Sequence, residues 1–266
     1  MILNKKNINF YRTEGVVLLK NIISKEWLKK LEKGIEKNFK EPSKYKCVYE
    51  KKGNKELFYD DYCNWQRINQ YKDFLFNSEI ANIASELMDS NKVNIFHEHV
   101  LIKESGAKKT TPWHQDQSYY CVEGHQNVSF WIPLDQIKKS NSPEFIAKSH
   151  RWTQNFLPTK FFGNDYEHID KNFEKIPDIE SNREKYNIVS YELNPGDLIA
   201  FNFATVHGAP GNKSLVRRRA FSARFTGDDA RYIKREGEMS PPFPGLTLKN
   251  GDIMDCETFP LVKNIT

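Results

Sequence analysis

Cysteine is scarce in this chain. The four present, Cys47, Cys63, Cys121 and Cys256, lie far apart and form no C-x-x-C pair. That spacing excludes a structural zinc ribbon and a dense disulfide framework, and it fits a reducing compartment. Long apolar runs are missing too. No segment approaches the roughly 20 residues needed to span a bilayer, and the N-terminal MILNKKNINFYRTEG has no apolar stretch of signal-peptide length. A cytoplasmic protein without membrane association is the expectation. Blocks of like charge are also absent. Forty Lys and Arg against 35 Asp and Glu leave a net charge of +5. The lysines of the first third are interleaved with apolar residues, as on a solvated helix face, so a nucleic-acid-binding arm is not expected. Internal repeats and low-complexity tracts are not seen.

Aromatic residues, in contrast, are plentiful: 18 Phe, 12 Tyr and 5 Trp in 266 residues. They supply a large core or a ligand pocket, and residues 1–266 fit one all-β domain of ordinary length. SKEWLKKLEKGIEKNF (24–39) predicts an amphipathic helix, with Ser24 as N-cap and Trp27, Leu28, Leu31, Ile35 and Phe39 at helical spacing. SEIANIASELMDS (78–90) predicts another, capped by Ser78. Residues 40–66 have no clear period and are expected to be irregular. From residue 93 onward, short runs of β-formers alternate with turn residues: VNIFHEHVLIKE, WHQDQSYYCV, NVSFWIPLD, NIVSYEL, DLIAFNFATVH and RRRAFSARF. Pro195-Gly196-Asp197 and GAPGN (208–212) punctuate them. A sandwich or barrel of β-strands with flanking N-terminal helices follows. The long polar stretch 153–187, with Gly163, Asn164 and Asp165, is either a lid or a surface excursion.

One stretch carries chemistry: TPWHQDQSYYC (111–121). On an extended strand His114 and Asp116 share a face, with Cα atoms roughly 6.6 Å apart, and can converge on one ion. Alone, such a pair is commonplace. The 2-His-1-carboxylate set of non-haem Fe(II) oxygenases needs a second histidine. His207 is the best candidate, since it ends the apolar strand DLIAFNFATVH just before a Gly-Pro-Gly turn. Three ligands on one face of an octahedral metal leave room for a bidentate 2-oxo acid and dioxygen. The far carboxylate of such an acid needs a buried cation, and arginine suits it. Arg218, across the turn, has small face-mates in Ala220 and Ser222, while Arg217 and Arg219 point the other way. A buried structural ion pair is the alternative role for Arg218.

Together these segments resemble the phytanoyl-CoA dioxygenase (PhyH) family of Fe(II)- and 2-oxoglutarate-dependent oxygenases. FHEHVLIKESG, TPWHQDQSYY, VSFWIPLD, SHRW, PGD, VHGAPGN, RRAFSARFTGDDARY and the late FPGL occur in the family's order, from about residue 10 to near the C-terminus. The resemblance implies a double-stranded β-helix, a jelly roll or cupin-like barrel. It also implies Fe(II) bound by His114, Asp116 and His207, O₂ and 2-oxoglutarate as cosubstrates, and Arg218 on the C5 carboxylate. Trp131 matches a position that packs on the cosubstrate, and His99 and Arg67 fall near positions that touch it. Three departures stand out: Ala209 where Ser is usual two residues after the distal histidine, Ser142 where Gly is usual, and Lys148 where Gly is usual. Asp116 is retained where related halogenases carry a small residue, which favours hydroxylation of an aliphatic C–H bond. The implied substrate is a small molecule. Lys103, Tyr119, Tyr120, His150 and Arg151 are candidates to line its site, and the cations suggest an anionic or zwitterionic metabolite.

Two other functions remain open on the sequence. His97, His99 and Glu104 have the H-x-H-x₄-E spacing of a cupin metal motif, though without its flanking glycines, and would serve a metalloenzyme that does not use 2-oxoglutarate. A non-catalytic metal- or oxo-acid-binding protein on the same scaffold is the second. His125 and His168 sit in polar, turn-like surroundings and are expected at the surface.

Overall fold

The computed structural model describes residues 2–158, 161, 173–237 and 239–265. Four helices precede most of the β-structure: α1 (Lys5–Glu14), α2 (Lys25–Lys40), α3 (Asn69–Asn77) and α4 (Ile80–Met88). Between and after them run β1 (Val16–Leu19), β2 (Cys47–Lys52), β3 (Lys55–Tyr62), β4 (Lys92–Lys103), β5 (Thr111–His114), β6 (Val122–Glu123) and β7 (Asn127–Pro133). The remaining strands are β8 (Glu144–Ile146), β9 (Ile188–Val189), β10 (Leu198–Phe201), β11 (His207–Ala209), β12 (Arg218–Thr226), β13 (Arg231–Tyr232) and β14 (Leu261–Asn264).

The strands form a major antiparallel sheet ordered β1-β10-β7-β12-β4-β3-β2, with β14 beside β4. A minor sheet, β5-β11-β8-β9, lies apart from it, and β6 pairs β13. This is the mainly-β, double-stranded β-helix architecture, with open edges rather than a closed barrel. No helix among the described residues is long and apolar enough to cross a membrane.

Alternation along the central strands explains the layering. Val128, Phe130 and Ile132 of β7, with Phe221, Ala223 and Phe225 of β12, belong to the core shared with the helices. Tyr71 and Phe74 of α3 pack on Phe221 at ring centroid distances of 4.8 and 5.7 Å. The intervening residues, Trp131 on β7 and Arg218, Ser222 and Arg224 on β12, turn to the other face and line a cavity. Where α2 crosses α3, a Cβ on Gly34 would lie 2.5 Å from the Tyr71 ring, so only glycine permits that approach.

Ser24 caps α2 as expected, accepting from the Trp27 amide. Ser78 serves both helices: its hydroxyl donates to the Phe74 carbonyl at the end of α3 and accepts from the Ile80 amide at the start of α4 at 3.4 Å. Residues 47–62, expected to be irregular, form the β2–β3 hairpin. The strand expected to run through DLIAFNFATVH is broken. β10 ends at Phe201, the chain turns, and His207 restarts as β11 in the minor sheet. Of the 153–187 stretch, Phe156 and Ile179 are buried against Val206 and Ile146, and a bridge joins Phe156 to Glu174. His168, Gly163, Asn164 and Asp165 lie outside the described residues.

Candidate metal centre

The two sheets bring three ligand atoms together. His114 ends β5, His207 opens β11, and the two residues are register partners. Asp116 follows β5 but is not on a strand. Its backbone is helical (φ −60°, ψ −40°) and it begins a short 3₁₀ turn at 117–119. That turn, rather than strand alternation, swings its carboxylate toward the imidazoles. Asp116 Oδ1 lies 3.7 Å from His114 Nε2 and 3.9 Å from His207 Nε2. One ligand atom from each of the three residues lies within 4.8 Å of the others, and all three residues are buried. Among the described residues no other such group occurs.

The hydrogen bonds prepare each ligand. His114 Nδ1 sits 2.8 Å from the Pro112 carbonyl and His207 Nδ1 2.9 Å from the Thr205 carbonyl. A carbonyl can only accept, so each Nδ1 carries the proton and each Nε2 presents its lone pair. Burial, reinforced by His207, pushes His114 down to about 3, and burial also lowers His207, so both rings are neutral near pH 7. Burial alone would raise Asp116. The Arg224 guanidinium, the two imidazoles and the Ser129 hydroxyl outweigh it and hold the carboxyl well below the usual carboxylate range. Ser129 Oγ donates to Asp116 Oδ2 at 3.0 Å and Arg224 Nε to the same oxygen at 3.3 Å. Oδ1 is thereby left to the metal. Two neutral imidazole nitrogens and one carboxylate oxygen suit a divalent non-haem iron.

A cavity of about 370 Å³ adjoins this cluster, within the size range of small-molecule sites. His114, Asp116 and His207 line it, as do Trp131, His99, Lys103, Tyr119, Tyr120 and Arg218. Arg218, 6% exposed, donates through Nη1 to the Asn141 carbonyl, and burial lowers it only to about 10. No carboxylate pairs with it among the described residues, which argues against a structural ion pair. His99 Nε2 meets Asp60 at 2.8 Å. Arg67 is exposed, bonds Asn64 at 2.6 Å, and does not line the cavity. His150 and Arg151 turn to the carbonyl of Arg12, likewise away from it.

The cupin-type set does not assemble. Glu104 pairs with Arg217 at 2.8 Å, His99 with Asp60, and His97 Nδ1 with the Glu98 carbonyl. Lys148, where the resemblance led one to expect Gly, adopts φ 69°, the left-handed region that favours glycine. Its N–H donates to the Glu14 carbonyl at 2.7 Å, which helps to hold it there. Arg224 and Ser129 were not anticipated. The available signal for Arg224 was its place six residues beyond Arg218, three alternations along the same strand face.

A family model described as phytanoyl-CoA dioxygenase (PhyH) matches residues 11–220. The chain belongs to the phytanoyl-CoA dioxygenase family. A probable phytanoyl-CoA dioxygenase of Caenorhabditis elegans is 23% identical over 257 residues, 89% of this chain and 80% of that protein. Among solved structures, the non-heme alpha ketoglutarate dependent carbocyclase SnoK from nogalamycin biosynthesis shares the fold. Its TM-score is 0.78 at 20% identity, over 98% of this chain and 97% of that one. The epimerase SnoN, solved with Fe3+, alpha ketoglutarate and nogalamycin RO, gives 0.76 at 18% identity, over 97% and 98%. Family and donor set agree: this PhyH protein is a non-haem iron, 2-oxoglutarate-dependent oxygenase acting on a small molecule.

Proposed function

We propose that this PhyH enzyme hydroxylates an aliphatic C–H bond of a small anionic or zwitterionic metabolite. The observation that carries this reading is the intact His114–Asp116–His207 set at the wall of a cavity that also contains Arg218, whose guanidinium meets no carboxylate among the described residues. Iron and 2-oxoglutarate, when bound, supply the oxidising chemistry: dioxygen is consumed, succinate and CO₂ leave, and one oxygen atom enters the substrate.

The chain's own residues bind, orient and exclude water. His114 and His207 offer Nε2 because Pro112 and Thr205 hold their Nδ1 protons. Arg218 receives the cosubstrate's terminal carboxylate, and Trp131, 8% exposed on the neighbouring strand, forms a flat apolar wall. The retained carboxylate of Asp116 leaves no ligand position for a halide, which supports hydroxylation. For the substrate, the cavity extends past Tyr119 and Tyr120 to Tyr45, Tyr62 and the exposed Lys44. Lys44 offers a positive charge, and Asp60 Oδ1 a carboxylate oxygen with no hydrogen-bond partner among the described residues. A molecule bearing both an anion and a donor group matches that pair.

Anaerobic titration of the Fe(II)-loaded protein with 2-oxoglutarate tests the reading, followed by the visible iron-to-ligand charge-transfer band. The band is expected in the wild type, is lost in Asp116→Ala, and needs far more cosubstrate in Arg218→Met. Substrate panels then read succinate together with a product heavier by one oxygen atom. Absence of the band in iron-loaded wild type refutes the cosubstrate assignment. Binding with no succinate across a broad panel refutes catalysis and favours a sensor.

A further inference from the structure

Among the described residues two carboxylates line the cavity: Asp116, a metal ligand, and Asp60 on β3. Asp60 and its neighbour Asp61 show what strand alternation does with a charge. Asp61 faces the helices. There Asn38 Nδ2 and the Ser43 amide each donate to its Oδ2 at 2.8 Å, the Ser43 hydroxyl donates to Oδ1, and Arg67 lies 3.9 Å away. Asp60 faces the cavity and is only 1% exposed. Its two donors, the Tyr49 hydroxyl at 2.9 Å and His99 Nε2 at 2.8 Å, both meet Oδ2. Oδ1 has no hydrogen-bond partner among the described residues.

No lysine or arginine among the described residues pairs with Asp60. Lys46 goes to Glu56, and Lys44 is exposed, with its ammonium 5.1 Å from the ring centre of Tyr45. A buried carboxylate oxygen without a donor is costly, so this one is suited to a donor that arrives with a ligand. The walls around it are aromatic. Tyr62, two residues along the same face of β3, stacks on Tyr45 at 5.1 Å and 13°. Tyr49 stands 4.8 Å from Phe58 and 5.3 Å from Phe161. Ring faces carry negative potential, which attracts a cation and repels an anion. An ammonium brings three N–H donors and a positive charge together, and so satisfies carboxylate and rings at once. A hydroxyl satisfies the oxygen but gains little from the rings, and a carboxylate is repelled by both.

We propose that this part of the cavity is an amine subsite, in which Asp60 receives the ammonium group of the substrate through Oδ1 and Tyr45 and Tyr62 flank it. The proposal rests on the substrate reading above and narrows it, from an anionic or zwitterionic metabolite to one that carries an amine. A substrate with acid groups alone leaves Oδ1 unmatched. Asp60 is then a specificity-determining residue, and Lys44 at the exposed rim is left to meet an anionic group of the same molecule.

The test uses three small probes, n-butylammonium, n-butanol and butyrate, which share a four-carbon chain and differ in the head group. Each is titrated into protein loaded with Mn(II) and 2-oxoglutarate, and paramagnetic relaxation of the probe's protons reports binding in the cavity beside the metal. In wild type n-butylammonium is expected to bind about tenfold or more tightly than either other probe, the size of a hydrogen bond to a charged group. Asp60→Asn keeps the shape, removes the charge and should abolish that margin. Thermal melts and retained 2-oxoglutarate binding establish that the variant folds. Tyr62→Leu removes a ring and leaves the carboxylate, and should weaken n-butylammonium alone by about two- to fivefold. Butanol binding as tightly as n-butylammonium overturns the proposal, since Oδ1 then needs no more than a neutral donor such as water. A preference for n-butylammonium that survives Asp60→Asn overturns it as well, as does tightest binding of butyrate or no binding of n-butylammonium. A wild type that takes up neither Mn(II) nor 2-oxoglutarate is a separate failure, that of the metal and cosubstrate reading itself.

Discussion

Replacing Arg224 by Gln isolates the electrostatics of the metal centre. In the wild type the guanidinium Nε lies 3.3 Å from Asp116 Oδ2, and both residues are about 5% exposed or less. Removing one partner of a buried pair leaves the other charge stranded, at a cost of about 3–5 kcal/mol. Two features place this case at the lower end. Ser129 still donates to the same carboxylate oxygen, and Arg224 Nη1 is itself buried with no hydrogen-bond partner among the described residues, so its removal relieves a penalty. A loss of about 3 kcal/mol corresponds to a fall in Tm of roughly 6–12 °C for a chain of this size. A divalent metal puts positive charge on the other carboxylate oxygen, so saturating Mn(II), a redox-quiet stand-in for iron, should recover more than half of that fall. The assay is thermal unfolding of both proteins with and without Mn(II). The reasoning fails if the gap between them is the same in both conditions, since Arg224 would then act through shape alone. It also fails if the metal-free proteins melt together.

Three further outcomes follow from the same geometry. Burial and the Arg218 charge push Lys103 down to about 6, from an ordinary 10.5. Between these values the unfolded chain holds a proton that the folded one has released, so stability of the ligand-free protein rises with pH, by at most about 1.4 kcal/mol per pH unit. Urea unfolding at pH 7, 8 and 9 should show that rise in wild type and a smaller one in Lys103→Met. Gly15 closes α1 at φ 76°, and a Cβ there would lie 2.3 Å from His150 Nδ1 and 2.8 Å from Thr205 Oγ1. Gly15→Ala should therefore cost more than about 1 kcal/mol in urea unfolding, since the left-handed conformation alone carries that penalty. Ser129→Ala removes one donor to a buried carboxylate and should cost about 1.5–3 kcal/mol in the metal-free protein. Arg224 would keep Asp116 ionised, so iron should still bind.

The sequence by itself picked out the residues that the fold gathers at the candidate metal centre. His-x-Asp, a distal histidine before a Gly-Pro-Gly turn and an arginine beyond it are legible because a metal and an oxo acid restrict the residue types that can serve. Helix α2 was legible for a local reason: one apolar stripe at helical spacing and a serine cap need no distant partner. Tertiary structure decided how those residues meet. Asp116 reaches the imidazoles from a 3₁₀ turn, and His207 reaches them from a strand in a different sheet from β10. Apolar alternation continues through the break at 202–206 because both sheets bury their inner faces, so the pattern does not register the change of sheet. The β2–β3 hairpin was illegible because β2 is half-buried on both faces, which erases its period of two. Least legible were the charges. Which carboxylate an arginine meets depends on residues as much as 187 positions away, as for Arg219 and Glu32. Only the packed sheets pair Arg217, Arg219 and Arg224 with acids and leave Arg218 and Lys103 facing the cavity with no carboxylate partner among the described residues.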